Sequence, residues 1–140
     1  MTLQVSRVEV WATSIEDRPG GAAEKLRPLA EARANLEFTI ARRTPEKGGG
    51  VLFVTPILGE AARLAAQQAG FTVAEGLHSL RIDSRDEPGL GARLTQALAE
   101  AGINLRGISG AAIGDRAVYY LAFDTEEEAA RAEKVLADLA

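Results

Sequence analysis

The sequence predicts an α+β fold of two tandem βαββαβ repeats, each an antiparallel sheet with helices on one face, the second lacking its last strand. Two observations predict it. Sliding the chain against itself by 69 residues (86 − 17) brings Asp17, Pro19, Gly20, Ala23, Leu29, Ala30, Glu31, Ala32, Asn35 and Leu36 onto Asp86, Pro88, Gly89, Ala92, Leu98, Ala99, Glu100, Ala101, Asn104 and Leu105, which marks a tandem repeat. Within each copy the apolar spacing also alternates between the strand period of two and the helix period of 3.6.

Each copy opens on a strand. Val8, Val10 and Ala12 alternate with Glu9 and Trp11, and Leu80 and Ile82 alternate with Ser79, Arg81 and Asp83. By that alternation Trp11 faces the uncovered side of the sheet, where it packs against another chain or floors a ligand site.

An Asp-x-Pro-Gly corner follows at 17–20 and 86–89, then a helix. Leu90, Leu94, Ala97, Leu98 and Ala101 form one apolar stripe, and Ala22, Leu26, Leu29 and Ala30 form its counterpart, with Pro28 expected to kink it. The next strands carry Leu36, Phe38 and Ile40, expected to point inward, and Ile103 with Leu105. The turn sequences TPEKGGG (44–50) and IGDR (113–116) lead into Val51–Val54 and Val118–Phe123, so each copy holds a hairpin.

Second helices carry Ala61, Leu64, Ala65 and Ala69, and Ala129, Ala132, Leu136 and Leu139, the latter capped by Thr125 before an acidic first turn. Phe71–Ala74 closes the first copy, giving a ferredoxin-like order, with repeats at 1–76 and 77–140. Repeat two stops without its last strand, which leaves the edge of its first strand bare. Exposed edges are usually covered, so a swap with the other repeat or a second chain is expected.

Composition narrows the function. The 140 residues are 46% apolar and 26% charged, with a net charge of −4, no footprint for nucleic acid or an anionic membrane. With no cysteine, thiol catalysis and disulfides are excluded. No apolar run approaches the ~20 residues that cross a bilayer, and the start lacks a signal-peptide pattern; a cytoplasmic protein is expected.

His78 is the only histidine and has no cysteine beside it, so neither a metal site nor a Ser/His/Asp set is supported, and no cofactor is implied. RRTPEK (42–47) reads as a solvated hairpin tip. The same element order builds RNA-recognition modules, but Phe53, Tyr119, Tyr120 and Phe123 lack the basic, glycine-rich surroundings those need.

The corner admits two explanations. Proline suits a first helical turn and aspartate ahead of it can cap amides, which makes a sound helix start and nothing more. Alternatively Gly20 with Gly21, and Gly89 with Gly91, clear space where unpaired amides gather at the positive end of a helix dipole, which favours a small carboxylate. Asp17 or Asp86 would then attract an ammonium group, and a ligand with both charges is an amino acid.

The strand, the corner, the helix ending LAEARANL (29–36) or LAEAGINL (98–105) and the hairpin after it resemble the ACT domain family, in two copies that span nearly the whole chain. The resemblance implies a small, non-catalytic regulatory module that binds free amino acids and pairs side by side, with ligand held between one module's first loop and its partner's second strand. Residue by residue it nominates Asp17, Arg18, Pro19, Gly20 and Gly21 with Asn104 and Leu105 for one site. Asp86, Glu87, Gly89 and Leu90 with Asn35 and Leu36 form its mate. It further implies a homodimer. With no catalytic domain attached, a metabolic enzyme or other regulator would be controlled in trans. Arg33 in place of Gly102 at the helix exit departs from the repeat and points to unequal sites. The alternative is a protein-protein interaction module with no small-molecule ligand.

Overall fold

In the computed structural model, which describes residues 3–139, the strands and helices follow the predicted order except that the first strand is split in two. The chain divides into two compact units: Glu9–Ala74, and the chain up to Val8 together with the chain from Glu75.

In the unit Glu9–Ala74, strands β2 (Trp11–Glu16), β3 (Phe38–Arg43), β4 (Gly49–Thr55) and β5 (Thr72–Val73) form an antiparallel sheet in the order β3-β4-β2-β5, and α1 (Gly21–Glu31) and α2 (Glu60–Gln68) supply the helices. β1 (Gln4–Val8) is a separate strand that belongs to the other unit. The expected first strand through Val8, Val10 and Ala12 is therefore broken at Glu9 and Val10, and the two fragments enter different sheets.

That break decides the fate of Trp11. It is 2% exposed and lies in the core with Leu29, Leu52, Val54, Ile57, Ala62, Ala66 and Phe71, beneath the Arg63 guanidinium, whose carbon sits 5.1 Å from the ring centroid. It thus faces the helices and not the open side, because Trp11, Thr13 and Ile15 stand opposite Val54, Leu52 and Gly50. The same register puts Ile40 opposite Phe53, on the other face, where both are half-buried and not inward. In α2 the buried residues are Ala62 and Ala66, while Leu64 is 53% exposed, so the helix is turned about one residue from the expected stripe. α1 runs through Pro28, whose carbonyl accepts from the Ala32 amide at 3.1 Å.

In the other unit, β6 (His78–Arg85), β7 (Gly107–Ile113), β8 (Arg116–Phe123) and β1 form an antiparallel sheet in the order β1-β6-β8-β7, with α3 (Leu90–Glu100) and α4 (Glu126–Ala137). The predicted stripe of α3 is buried at Leu90, Leu94 and Leu98, which pack with Leu80, Ile82, Leu121, Phe123 and Leu136. Thr125 caps α4 by accepting from the Glu128 amide at 3.1 Å.

β1 pairs with β6 from Gln4↔Asp83 to Val8↔Ser79, at the edge where β5 pairs with β2 in the first unit. The strand that the second repeat lacks at its own end is supplied by residues 4–8 of the same chain, which satisfies a ladder of amides and carbonyls that would otherwise stay bare. This division differs from a boundary at 76 in those opening residues and in Glu75 and Gly76, which fall in the second unit. Arg7 holds the strand to α4 through an ion pair with Glu126 and a second with Glu133 at 3.8 Å. The Arg7 guanidinium in turn keeps the Glu126 carboxyl below its usual range, and His78 Nδ1 lies 3.5 Å from the same carboxylate.

Arg33 and Gly102 occupy the same place after their helices with φ of 64° and 73°. An αL residue there is comfortable only for glycine. Arg33→Gly is expected to raise stability by about 0.5–1 kcal/mol, read as a higher urea midpoint, since relief of αL strain exceeds the added chain entropy.

Among the described residues no helix is long and apolar enough to cross a membrane.

Candidate functional site

The two Asp-x-Pro-Gly corners begin α1 and α3 in the same way. Gly20 and Gly89 are the residues before each helix, with φ of 86° and 84°, and neither helix has a side-chain cap. The capping role open to the aspartates is therefore not what Asp17 and Asp86 do in this structure. The helical ladders start with Glu24 N–H donating to Gly20 O and Arg93 N–H to Gly89 O, both at 3.0 Å. Ala22 and Ala23 in α1, and Gly91 and Ala92 in α3, precede those first bonds, so their amides have no helical acceptor.

At the first corner Ala22 is one wall of a hollow of about 230 Å³, lined also by Ile15, Glu16, Asp17 and Arg18 from the corner and by Ala41, Arg42, Arg43, Gly49 and Gly50 from the hairpin. Arginines and acidic residues thus line one small space, where alternation along β3 puts the Arg43 side chain on the side of Asp17 and the Arg42 side chain on the other face of the sheet. Arg18 donates to Glu16 at 2.5 Å and to Glu24 at 2.6 Å. The Glu16 hydrogen bond, then Glu24, raises the Arg18 pKa further, which leaves a permanent cation at the corner. Asp17 accepts from Arg43 Nε at 2.8 Å, so an incoming ammonium group would compete with Arg43 for it.

The glycines do different work from that expected. A Cβ on Gly21 would sit 2.1 Å from the Glu16 carbonyl oxygen, so Gly21 serves packing of the helix start on β2. Gly20 needs its hydrogen for a left-handed backbone and Gly89 needs it for the same reason, with open space around the latter. Leu90 is 2% exposed and belongs to the core, not to a ligand surface. Glu87 lies 3.6 Å from Arg93, and Pro19 is exposed.

Asn35 with Leu36 and Asn104 with Leu105 precede β3 and β7; the strands begin at Phe38 and Gly107. Both asparagines are exposed, while Leu36 and Leu105 pack beside the cores of their own units. Within a unit they lie past the far end of the helix from the corner, about 16 Å along it. The structure brings Asp17 and Arg18 together with residues that sequence reasoning did not nominate: Ala41, Arg42, Arg43, Gly49 and Gly50. Two adjacent arginines before a glycine run were the visible signal, and the pairing of β2 with β4 and of β4 with β3 is what brings Arg43 to the corner.

Among the described residues no group of three His, Cys, Asp or Glu side chains is placed to hold a metal ion.

Residues 78–140 match the family model described as the ACT domain. That part of the chain is an ACT domain. The unit Glu9–Ala74 has the same strand order and the same cap-less corner, so the ACT fold recurs there. No curated protein matches the chain in sequence. Solved structures do match in fold. A protein of Bacteroides thetaiotaomicron is 15% identical with a TM-score of 0.78, covering 96% of each chain. The regulatory subunit of aspartate kinase from Thermus thermophilus, in its ligand-free form, is 18% identical with a TM-score of 0.65, covering 99% of this chain and 97% of its own. E. coli aspartokinase III, solved with aspartate and ADP, is 16% identical with a TM-score of 0.57, covering 98% of this chain and 32% of its own. The fold is thus shared over 96–99% of this chain, and the chain spans about a third of the E. coli enzyme.

Proposed function

We propose that this chain is a non-catalytic regulatory protein that binds a free amino acid at the Asp17–Gly21 corner. The observation that carries the proposal is the cap-less start of α1 beside a hollow at which Arg18 and Arg43 stand. Leftover amides and guanidiniums both attract a carboxylate, and a helix N-terminus adds its dipole. Asp17 exchanges its Arg43 partner for the ligand ammonium. By resemblance to the ACT family, the second strand of a partner module would complete this site.

The fold shared with regulatory subunits of aspartate kinase supports a role in controlling an enzyme of amino-acid metabolism, acting in trans as a homodimer. Ligand binding would shift the population between arrangements of the modules.

A thermal-shift screen of the folded protein against the twenty L-amino acids at millimolar concentration tests this, because a ligand of the native state alone raises the apparent melting temperature. One amino acid, or a chemically related few, is expected to raise it by several degrees. Silence from all twenty would leave the interaction module as the better reading, with exposed Leu58 (76%) and Leu64 (53%) as its first surface to examine.

A further inference from the structure

Building on the ligand site proposed above, we infer that Tyr119 closes the second corner, so that each chain takes a carboxylate ligand at the first corner alone. The two repeats correspond residue for residue here. Thr13 and Ala41 stand opposite Leu52 in the first sheet, and Ile82 and Gly110 stand opposite Tyr119 in the second, each at the same offset of 69 (82 − 13 and 110 − 41). Ala22 and Gly91 match at that offset too.

Ala22 and Ala41 are walls of the first hollow, and Leu52, 1% exposed, stays below it in the core. In the second repeat both wall positions are glycine, and a tyrosine takes the place of the leucine. A Cβ on Gly110 would meet Tyr119 Cε1 at 2.5 Å, and a Cβ on Gly91 would meet the Tyr119 hydroxyl at 2.9 Å. The ring therefore lies along Gly110, with its hydroxyl at the start of α3. It fills the space that the first repeat leaves open. Neither glycine has a positive φ, so the reason for glycine at both positions is room for the ring.

The charges are rearranged as well. Glu87, Ala111 and Ala112 stand where the first corner has Arg18, Arg42 and Arg43, while Arg85 and Arg93 stand where it has Glu16 and Glu24. The Arg93 guanidinium lies 3.6 Å from Glu87, so a carboxylate at the second corner would meet a phenol in its space and a cation already paired at its rim. The closure is steric.

Sodium acetate serves as the probe, since it tests carboxylate binding without a choice of amino acid, and the amide NMR spectrum of the full chain reports each corner separately. In the wild type, acetate is expected to shift the amides of Arg18 and Gly20–Ala23 in a saturable way and to leave Gly89–Ala92 unmoved. Tyr119→Leu, which copies Leu52, is expected to make Gly89–Ala92 respond in a saturable way. Tyr119→Phe keeps the ring and is expected to behave as the wild type. If the leucine variant does not fold, Tyr119→Met, which is slimmer yet still apolar, gives the same readout.

Acetate shifting Gly91 and Ala92 in the wild type overturns the inference. So does a folded leucine or methionine variant whose second corner stays silent, and so does a first corner that ignores acetate. The amino-acid screen judges the sensor reading by itself. Amino-acid binding with acetate at both corners sinks only the closure by Tyr119; acetate at the first corner with no amino acid bound sinks only the sensor.

Discussion

Gly21→Ala is expected to lower the unfolding free energy by about 3 kcal/mol or more, although it adds one methyl group at a helix's first turn, where alanine is ordinarily favoured. The cause is steric and local. The new Cβ would fall 2.1 Å from the Glu16 carbonyl oxygen and 3.2 Å from its carbon, both backbone atoms that no rotamer change can move. Glu16 is the last residue of β2 and is held against Gly49 of β4, while the Arg18 amide donates back to the Glu16 carbonyl at 2.9 Å and turns it onto the helix start. Relief requires the strand end or the helix to shift, and with either the corner around Asp17 and Arg18 distorts. Urea unfolding followed by circular dichroism measures the loss. A variant as stable as the wild type would show that β2 and α1 are not packed this closely.

The repeat itself supplies the contrast. At the matching position in the second copy stands Leu90, buried in its core, and there the helix start accommodates a full side chain. Gly21 is thus required by the turn at Glu16–Arg18 and not by the Asp-x-Pro-Gly motif.

Deletion of residues 1–8 is expected to be as damaging to the unit that begins at Glu75. β1 contributes the pairing from Gln4↔Asp83 to Val8↔Ser79, packs Leu3 and Val5 against the core, and carries the Arg7 pairs to Glu126 and Glu133. Without it β6 becomes an open edge and part of the Leu80 and Ile82 layer is uncovered. A loss of about 3 kcal/mol or more is expected, together with concentration-dependent association as bare edges pair. Denaturant unfolding and sedimentation at several concentrations read the two effects, and a synthetic peptide of residues 1–10 is expected to reverse both. An undiminished midpoint after truncation would show that β1 is dispensable.

The grip of β1 also has a pH sign. Arg7 holds the Glu126 carboxyl below its usual range, so the stabilising pair is complete above the ordinary glutamate pKa and is lost as pH falls through the lowered value. The truncated chain lacks that loss in its acid limb.

The stretch DRPGG and its echo DEPGL were legible as helix starts because the signals are local: proline sets one φ, and a left-handed residue before a helix calls for glycine. The hollow beside the first of them was not. Arg42 and Arg43 read as hairpin-tip charge, since nothing in their own neighbourhood says that β4 carries the hairpin back alongside β2 and into reach of Asp17. Trp11 misled for a related reason. Strand alternation gives two faces but no label for them, and a break at Glu9 and Val10 reset the register by which its face had been judged.

By itself, then, the sequence determined what depends on near neighbours: the two repeats, the order of strands and helices, the apolar stripe of α3, the Thr125 cap and the paired corners. The 69-residue self-similarity carried the ACT resemblance through them. Only the tertiary structure decided which strand covers the edge of β6, which side of the sheet takes Trp11, and that Tyr119 lies where the other repeat has a hollow. Those outcomes rest on contacts between residues far apart in the chain. Residues 4–8 and 79–83 meet because an unpaired sheet edge takes a strand from wherever the chain can deliver one, and neither segment announces the other in its own composition.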